Sequence, residues 1–85
     1  MSNVLVYSGP NCPYCVRAKQ LLTKKGAAFT DYDVKADQAK FDEMLGKSGG
    51  RKTIPQIFIN GQHIGGCDDL FALDAAGKLD AMLAG

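Results

Sequence analysis

Asn60-Gly61 stands between two strand-like runs, Gln56-Ile57-Phe58-Ile59 and Gln62-His63-Ile64, and no other short signal restricts the topology of this chain so sharply. A two-residue hairpin turn needs positive φ at its central positions, which asparagine and glycine tolerate best, so an antiparallel pair is expected here. The first half is patterned differently. Asn3-Val4-Leu5-Val6-Tyr7 reads as a short apolar strand, broken by the turn formers Ser8-Gly9-Pro10-Asn11. From Pro13 to about Lys25, Cys15, Ala18, Leu21 and Leu22 recur at helical spacing; Pro13 suits the first helical position and Gly26 the stop. Residues 28–34 alternate as a second strand, and a second helix over about 36–47 carries Phe41, Met44 and Leu45 on one face before Ser48-Gly49-Gly50 ends it. A third helix starts near Asp68. The order β-α-β-α-β-β-α implies a parallel pair with a right-handed crossover plus the antiparallel hairpin. The expected α/β architecture is a mixed four-stranded sheet with helices on both faces, residues 1–85 forming a single domain.

An 85-residue chain is expected to build one modest core, and 46% apolar with 22% charged residues is the profile of an ordinary globular protein. A net charge of +1 supplies no field able to hold nucleic acid or an anionic membrane, so neither is an expected partner. No apolar run approaches the roughly 20 residues of a membrane span. Met1-Ser2-Asn3-Val4 lacks the basic region and apolar core of a signal peptide, and the cytoplasm is the expected location. Three cysteines make an odd count, unlike the even disulfide framework of a secreted mini-protein. A close pair in a reducing compartment points to redox chemistry or to metal.

Cys12 and Cys15 are that pair, and they fall where the first strand gives way to the first helix. Cys12 is expected at the helix N-cap, where unpaired N–H groups and the helix dipole favour a thiolate, with Arg17 and Lys19 in the first two turns adding positive charge. Side chains three apart on one turn lie about 5–6 Å from each other between Cβ atoms, so a disulfide needs only a small closure. Zinc is the competing reading, because Cys12, Cys15, His63 and Cys67 form a Cys₃His set on paper. Against it, zinc pairs usually come as two matched motifs on turns, whereas here one pair enters a helix and His63 sits in a strand.

Two further segments carry chemistry. In Arg51-Lys52-Thr53-Ile54-Pro55-Gln56, a proline opens an apolar strand; a cis Ile54–Pro55 bond would leave the backbone of Ile54 free to pair with a peptide-like substrate, whereas an ordinary trans proline is the commoner arrangement. In Gly65-Gly66-Cys67-Asp68-Asp69, two glycines admit a ligand to the backbone, the third helix offers its N-terminus to a carboxylate, and the aspartates suit an ammonium. An α-amino acid end fits both. The plainer alternative has Asp68 capping the helix and Cys67 packed.

Taken together, Cys12-Pro13-Tyr14-Cys15, Thr53-Ile54-Pro55 and Gly65-Gly66-Cys67-Asp68-Asp69 resemble the dithiol glutaredoxins, most nearly the small bacterial glutaredoxin 3 type, over nearly the whole chain. The resemblance implies a thioredoxin fold and glutathione-dependent reduction of glutathione mixed disulfides and protein disulfides, with Cys12 the nucleophile and Cys15 the resolving thiol. Glutathione is then cosubstrate, with no bound cofactor or metal, held by Tyr14, Thr53, Ile54, Pro55, Gly66, Cys67, Asp68 and Asp69. The implied partners are glutathionylated or disulfide-containing proteins and, through glutathione, glutathione reductase; the protein is expected to be a monomer. Ser8-Gly9-Pro10-Asn11 lacks the lysine that members of the family often carry there for the glycyl carboxylate. Arg51 or Lys52, or Lys19 at longer range, are the candidate substitutes. Two rivals share the cysteines: a redoxin recharged by thioredoxin reductase, and an iron–sulfur carrier, which the resemblance disfavours because of Pro13.

Overall fold

The computed structural model describes residues 3–84, so Met1 and Ser2, on which the leader reading partly rests, and Gly85 lie outside the described residues. The first strand, β1 (Val4–Ser8), leads into α1 (Pro13–Lys24), which buries Cys15, Ala18, Leu21 and Leu22, the face its spacing marks out. Next come β2 (Thr30–Asp33), α2 (Gln38–Lys47) and the hairpin β3 (Gln56–Ile59) and β4 (Gln62–Gly65). The turn has the expected positive φ at both Asn60 (53°) and Gly61 (82°). The chain closes with α3 (Cys67–Ala75) and α4 (Leu79–Ala84).

The sheet runs β2-β1-β3-β4, with β1 parallel to β2 and antiparallel to β3. Alternation along β1 and β3 divides the apolar residues between its faces. Val4, Val6, Ile57 and Ile59 pack with Ala18, Leu21 and Leu22 of α1, Leu70 of α3 and Leu79 of α4; Tyr7 and Phe58 pack with Val34 and Met44 on the α2 side. The single modest core expected of so short a chain is therefore two clusters separated by the sheet.

Several boundaries differ from expectation, each for a local reason. Residues 35–36 do not start α2, because the Asp33 carboxylate accepts both of their N–H groups in a turn (2.9 and 3.2 Å), and Asp37 caps the helix by accepting from Lys40 N (3.2 Å). The third helix begins at Cys67 with Gly66 as N-cap, so Asp68 is not its cap. A fourth helix, absent from the expected order, follows Gly77 at φ 74° and exists to bury Leu79 completely. Lys25, at the end of α1, pairs with Asp74 (2.7 Å) and Asp80 (3.0 Å) and ties these C-terminal helices to α1. Among the described residues, no helix is long and apolar enough to cross a membrane.

Candidate active site

Asn11, at φ 55°, turns the chain so that Cys12 meets α1 as its N-cap in extended conformation (φ −119°, ψ 98°). The Cys12 sulfur accepts a hydrogen bond from Cys15 N at 3.2 Å, one of the helix donors that has no intrahelical partner. Cys12 and Cys15 are joined as a disulfide with Cα atoms 5.2 Å apart. Exposure separates the two: Cys12 is half-buried, whereas Cys15 is 1% exposed among the core residues of α1. Tyr14 between them projects outward at 55% exposure.

The basic residues expected beside Cys12 are engaged elsewhere. Lys19 pairs with Asp31 at 2.9 Å and reaches Ser8, and Arg17 lies over the Phe71 ring at 5.4 Å. Positive potential at the sulfur therefore comes chiefly from the helix N-terminus, unopposed by any acid in the first turn.

Facing Cys12 is the loop into β3. Its Ile54–Pro55 bond is cis, not the commoner trans, and Ile54 O lies 3.9 Å from the Cys12 sulfur. The α3 N-terminus forms the remaining wall. A bulge in the β3–β4 ladder sets Gly65 opposite Ile57, where φ is 118° and a Cβ would collide with the Asp69 carboxylate; only glycine fits. Asp69 reaches back to accept Gly66 N–H at 2.9 Å, leaving the N–H groups of Cys67 and Asp68 in the first turn, where the helix offers them no acceptor. Cys67 is buried, and that burial is the main reason its thiol pKa is raised; Arg17 opposes the shift and Asp68 adds to it.

Between these walls opens a cleft of about 370 Å³, lined by Tyr14, Arg51, Thr53, Ile54, Pro55, Gly66, Cys67, Asp68 and Asp69. The three motifs are thus brought to one place. Of the candidate bases, Arg51 lines the cleft, 3.7 Å from Asp69, while Lys52 is absent from the lining and Lys19 is held by Asp31.

Two residues near this site were not assigned to it from sequence. Gln56 is fully buried and donates from Nε2 to Thr53 O (2.9 Å) and Thr53 Oγ1 (3.1 Å); its Oε1 lies 2.7 Å from His63 Nε2. A polar residue directly after the proline of an apolar strand was the available signal for Gln56. His63, a zinc ligand on paper, has Nε2 committed to this contact, and among the described residues no three His, Cys, Asp or Glu side chains gather as a metal site. Its pKa is lowered, first by burial and then by Arg51, against an opposing pull from Asp69.

Comparison with known proteins agrees with this geometry. The Glutaredoxin family pattern matches residues 4–64. The chain is 55% identical to glutaredoxin 3 of Escherichia coli K12 over 83 residues, covering 98% of this chain and 99% of that protein. It is 45% identical to a probable glutaredoxin of Synechocystis, covering 96% and 93%. Among solved structures, the buckwheat glutaredoxin–glutathione complex superposes with a TM-score of 0.88 at 34% identity, covering 98% of this chain and 77% of that one. The Brucella melitensis glutaredoxin gives 0.82 at 53% identity, covering 95% and 87%. The architecture is the thioredoxin fold, and the chain belongs to the glutaredoxin family of glutathione-dependent thiol–disulfide oxidoreductases.

Proposed function

We propose that Cys12 and Cys15 carry the redox chemistry and that the cleft beside them binds glutathione. The observation that carries this is the placement of the Cys12 sulfur at a helix N-terminus, 3.9 Å from Ile54 O, at the edge of a cleft that ends on the α3 N-terminus. In the proposed complex the glutathione cysteine pairs with the Ile54 backbone between Tyr14 and Pro55, with Thr53 alongside. Its γ-glutamyl carboxylate takes the N–H groups of Cys67 and Asp68 beside Gly66, and its ammonium sits near Asp68 or Asp69. Arg51 is the candidate for the glycyl carboxylate. The buckwheat complex supports the ligand by likeness of fold and of family.

Two routes use these thiols. In the first, the Cys12 thiolate attacks the glutathione sulfur of a mixed disulfide, forming a Cys12–glutathione disulfide and releasing the target as a thiolate. A second glutathione thiolate then attacks the adduct, leaving glutathione disulfide and regenerating Cys12. In the second, Cys12 attacks a protein disulfide and Cys15 displaces the target from Cys12, closing the Cys12–Cys15 disulfide, which two glutathiones reopen. The N–H groups and dipole at the start of α1 favour negative charge on the sulfur, which helps both to form the thiolate and to expel it in the later step.

The natural substrates are glutathionylated or disulfide-containing proteins, met in the cytoplasm by a monomer, with glutathione reductase acting only through the glutathione pool. Glutathione-coupled reduction of a mixed disulfide and of a protein disulfide, run with wild type, Cys12→Ser and Cys15→Ser, tests the assignment. Cys12→Ser is expected to abolish both activities. Cys15→Ser is expected to keep the first and lose most of the second, and loss of both would refute the division of labour. A wild type driven by thioredoxin reductase but not by glutathione would refute the ligand.

A further inference from the structure

His63 takes no part in the exchange chemistry, yet it is joined to the site by a chain of polar contacts that runs through the buried Gln56. Gln56 opens β3 directly after Pro55 and is completely buried, so both ends of its amide need partners. Its Nε2 donates to the carbonyl and hydroxyl oxygens of Thr53, which requires the nitrogen to face Thr53 and the oxygen to face His63. An amide oxygen only accepts, so His63 Nε2 carries a proton, and in the neutral ring Nδ1 is then the unprotonated nitrogen. The imidazole is set by tilted contact with Phe58, its partner in the ladder, at 4.9 Å between centroids. The hairpin register that sets Gly65 opposite Ile57 thus also delivers the donor for Gln56.

We infer that His63 is a positioning residue: through Gln56 it holds Thr53, and with it the Ile54 backbone, in the place where that backbone meets a peptide-like ligand. The inference rests on the glutathione assignment of the cleft. It separates two functions of the loop. Cys12 draws its reactivity chiefly from the α1 N-terminus, which this relay does not touch, and meets the relay only through the long 3.9 Å contact to Ile54 O. The relay therefore governs ligand affinity far more than the sulfur. Arg51 and Asp69, whose charges act on the ring in opposite senses, both line the cleft.

The test compares wild type with His63→Phe, which keeps an aromatic ring against Phe58 but lacks the donor, and His63→Gln, which restores one. Thr53→Val, at an exposed position, removes one acceptor of Gln56 without entering the core. Readouts are KM for glutathione, kcat, the Cys12 thiolate pKa from the pH dependence of alkylation, and hydrogen exchange at the Ile54 amide. His63→Phe is expected to raise KM about fivefold, the worth of one hydrogen bond, and to speed exchange at Ile54, with kcat and the thiolate pKa unchanged. His63→Gln should recover most of the loss, and Thr53→Val should raise KM by a smaller factor. Wild-type KM in both His63→Phe and Thr53→Val overturns the inference; so does a matching fall in kcat with a shifted thiolate pKa, or failure of His63→Gln to recover. If His63→Phe does not fold, hydrogen exchange at Ile54 in ligand-free Thr53→Val decides, faster exchange supporting the relay and wild-type exchange overturning it. A wild type that glutathione does not saturate refutes the cleft assignment alone, and Ile54 exchange then still decides whether His63 holds the loop.

Discussion

Cys12, Tyr14 and Arg51 have environments that follow from which neighbours are already committed. Lys19 is spent on Asp31 and Lys52 stands outside the cleft lining, so Arg51 remains the base in that lining. Its side chain is 47% exposed and lies 3.7 Å from Asp69, so its pull on a second carboxylate is screened. Arg51→Ala is therefore expected to raise KM for glutathione by no more than about fivefold. Turnover with γ-glutamylcysteine, which lacks the glycyl carboxylate, should stay within a similar factor of turnover with glutathione; a hundredfold loss would show that another cation holds that group. The identities of Cys12, Cys15 and the Thr53-Ile54-Pro55 stretch were readable because they are contiguous and sit at element boundaries. Gln56 and His63 were not, since they are seven residues apart and their contact exists only once the hairpin register is set.

At the level of elements, the two helix N-termini at the site are built by different means. At α1 the N-cap is the Cys12 side chain, which accepts from Cys15 N; at α3 it is Gly66, supported by the Asp69 carboxylate. The α3 start depends on Gly65, where the bulge of β4 and positive φ coincide. Gly65→Ala should cost about 1–3 kcal/mol from backbone strain, before any cost of displacing Asp69 from the added Cβ. Urea unfolding would measure it, and glutathione affinity should fall with it because the Cys67 and Asp68 donors move. The Asn60-Gly61 turn and the α1 periodicity were legible because hairpin chemistry and helical spacing are local. The bulge was not, because Ile64-Gly65-Gly66 continues as a regular strand equally well until α3 must pack. Nor was α4 visible, since its six residues present little periodicity and are justified mainly by burying Leu79.

Across the whole molecule, titration of His63 links stability to pH. Its folded pKa lies below the ordinary 6.5, so the unfolded chain takes up the proton first as pH falls. Stability from this group is complete above about pH 6.5 and declines on acidification until the folded ring also protonates. Melting temperatures followed downward from pH 7.5 should show this decline, and His63→Gln should flatten it; an unchanged slope would assign it to other groups. The sheet keeps this ring on the α2 side with Phe58, while Cys15 is buried with the residues that α1 turns toward the sheet. That burial fixes the direction of traffic. With Cys15 at 1% exposure and Cys67 at 4%, Cys12 is the cysteine most open to an external sulfur, so under the proposed chemistry electron pairs would enter and leave through that atom. Under that chemistry two targets would compete for Cys12 as strictly as two substrates for a single seat.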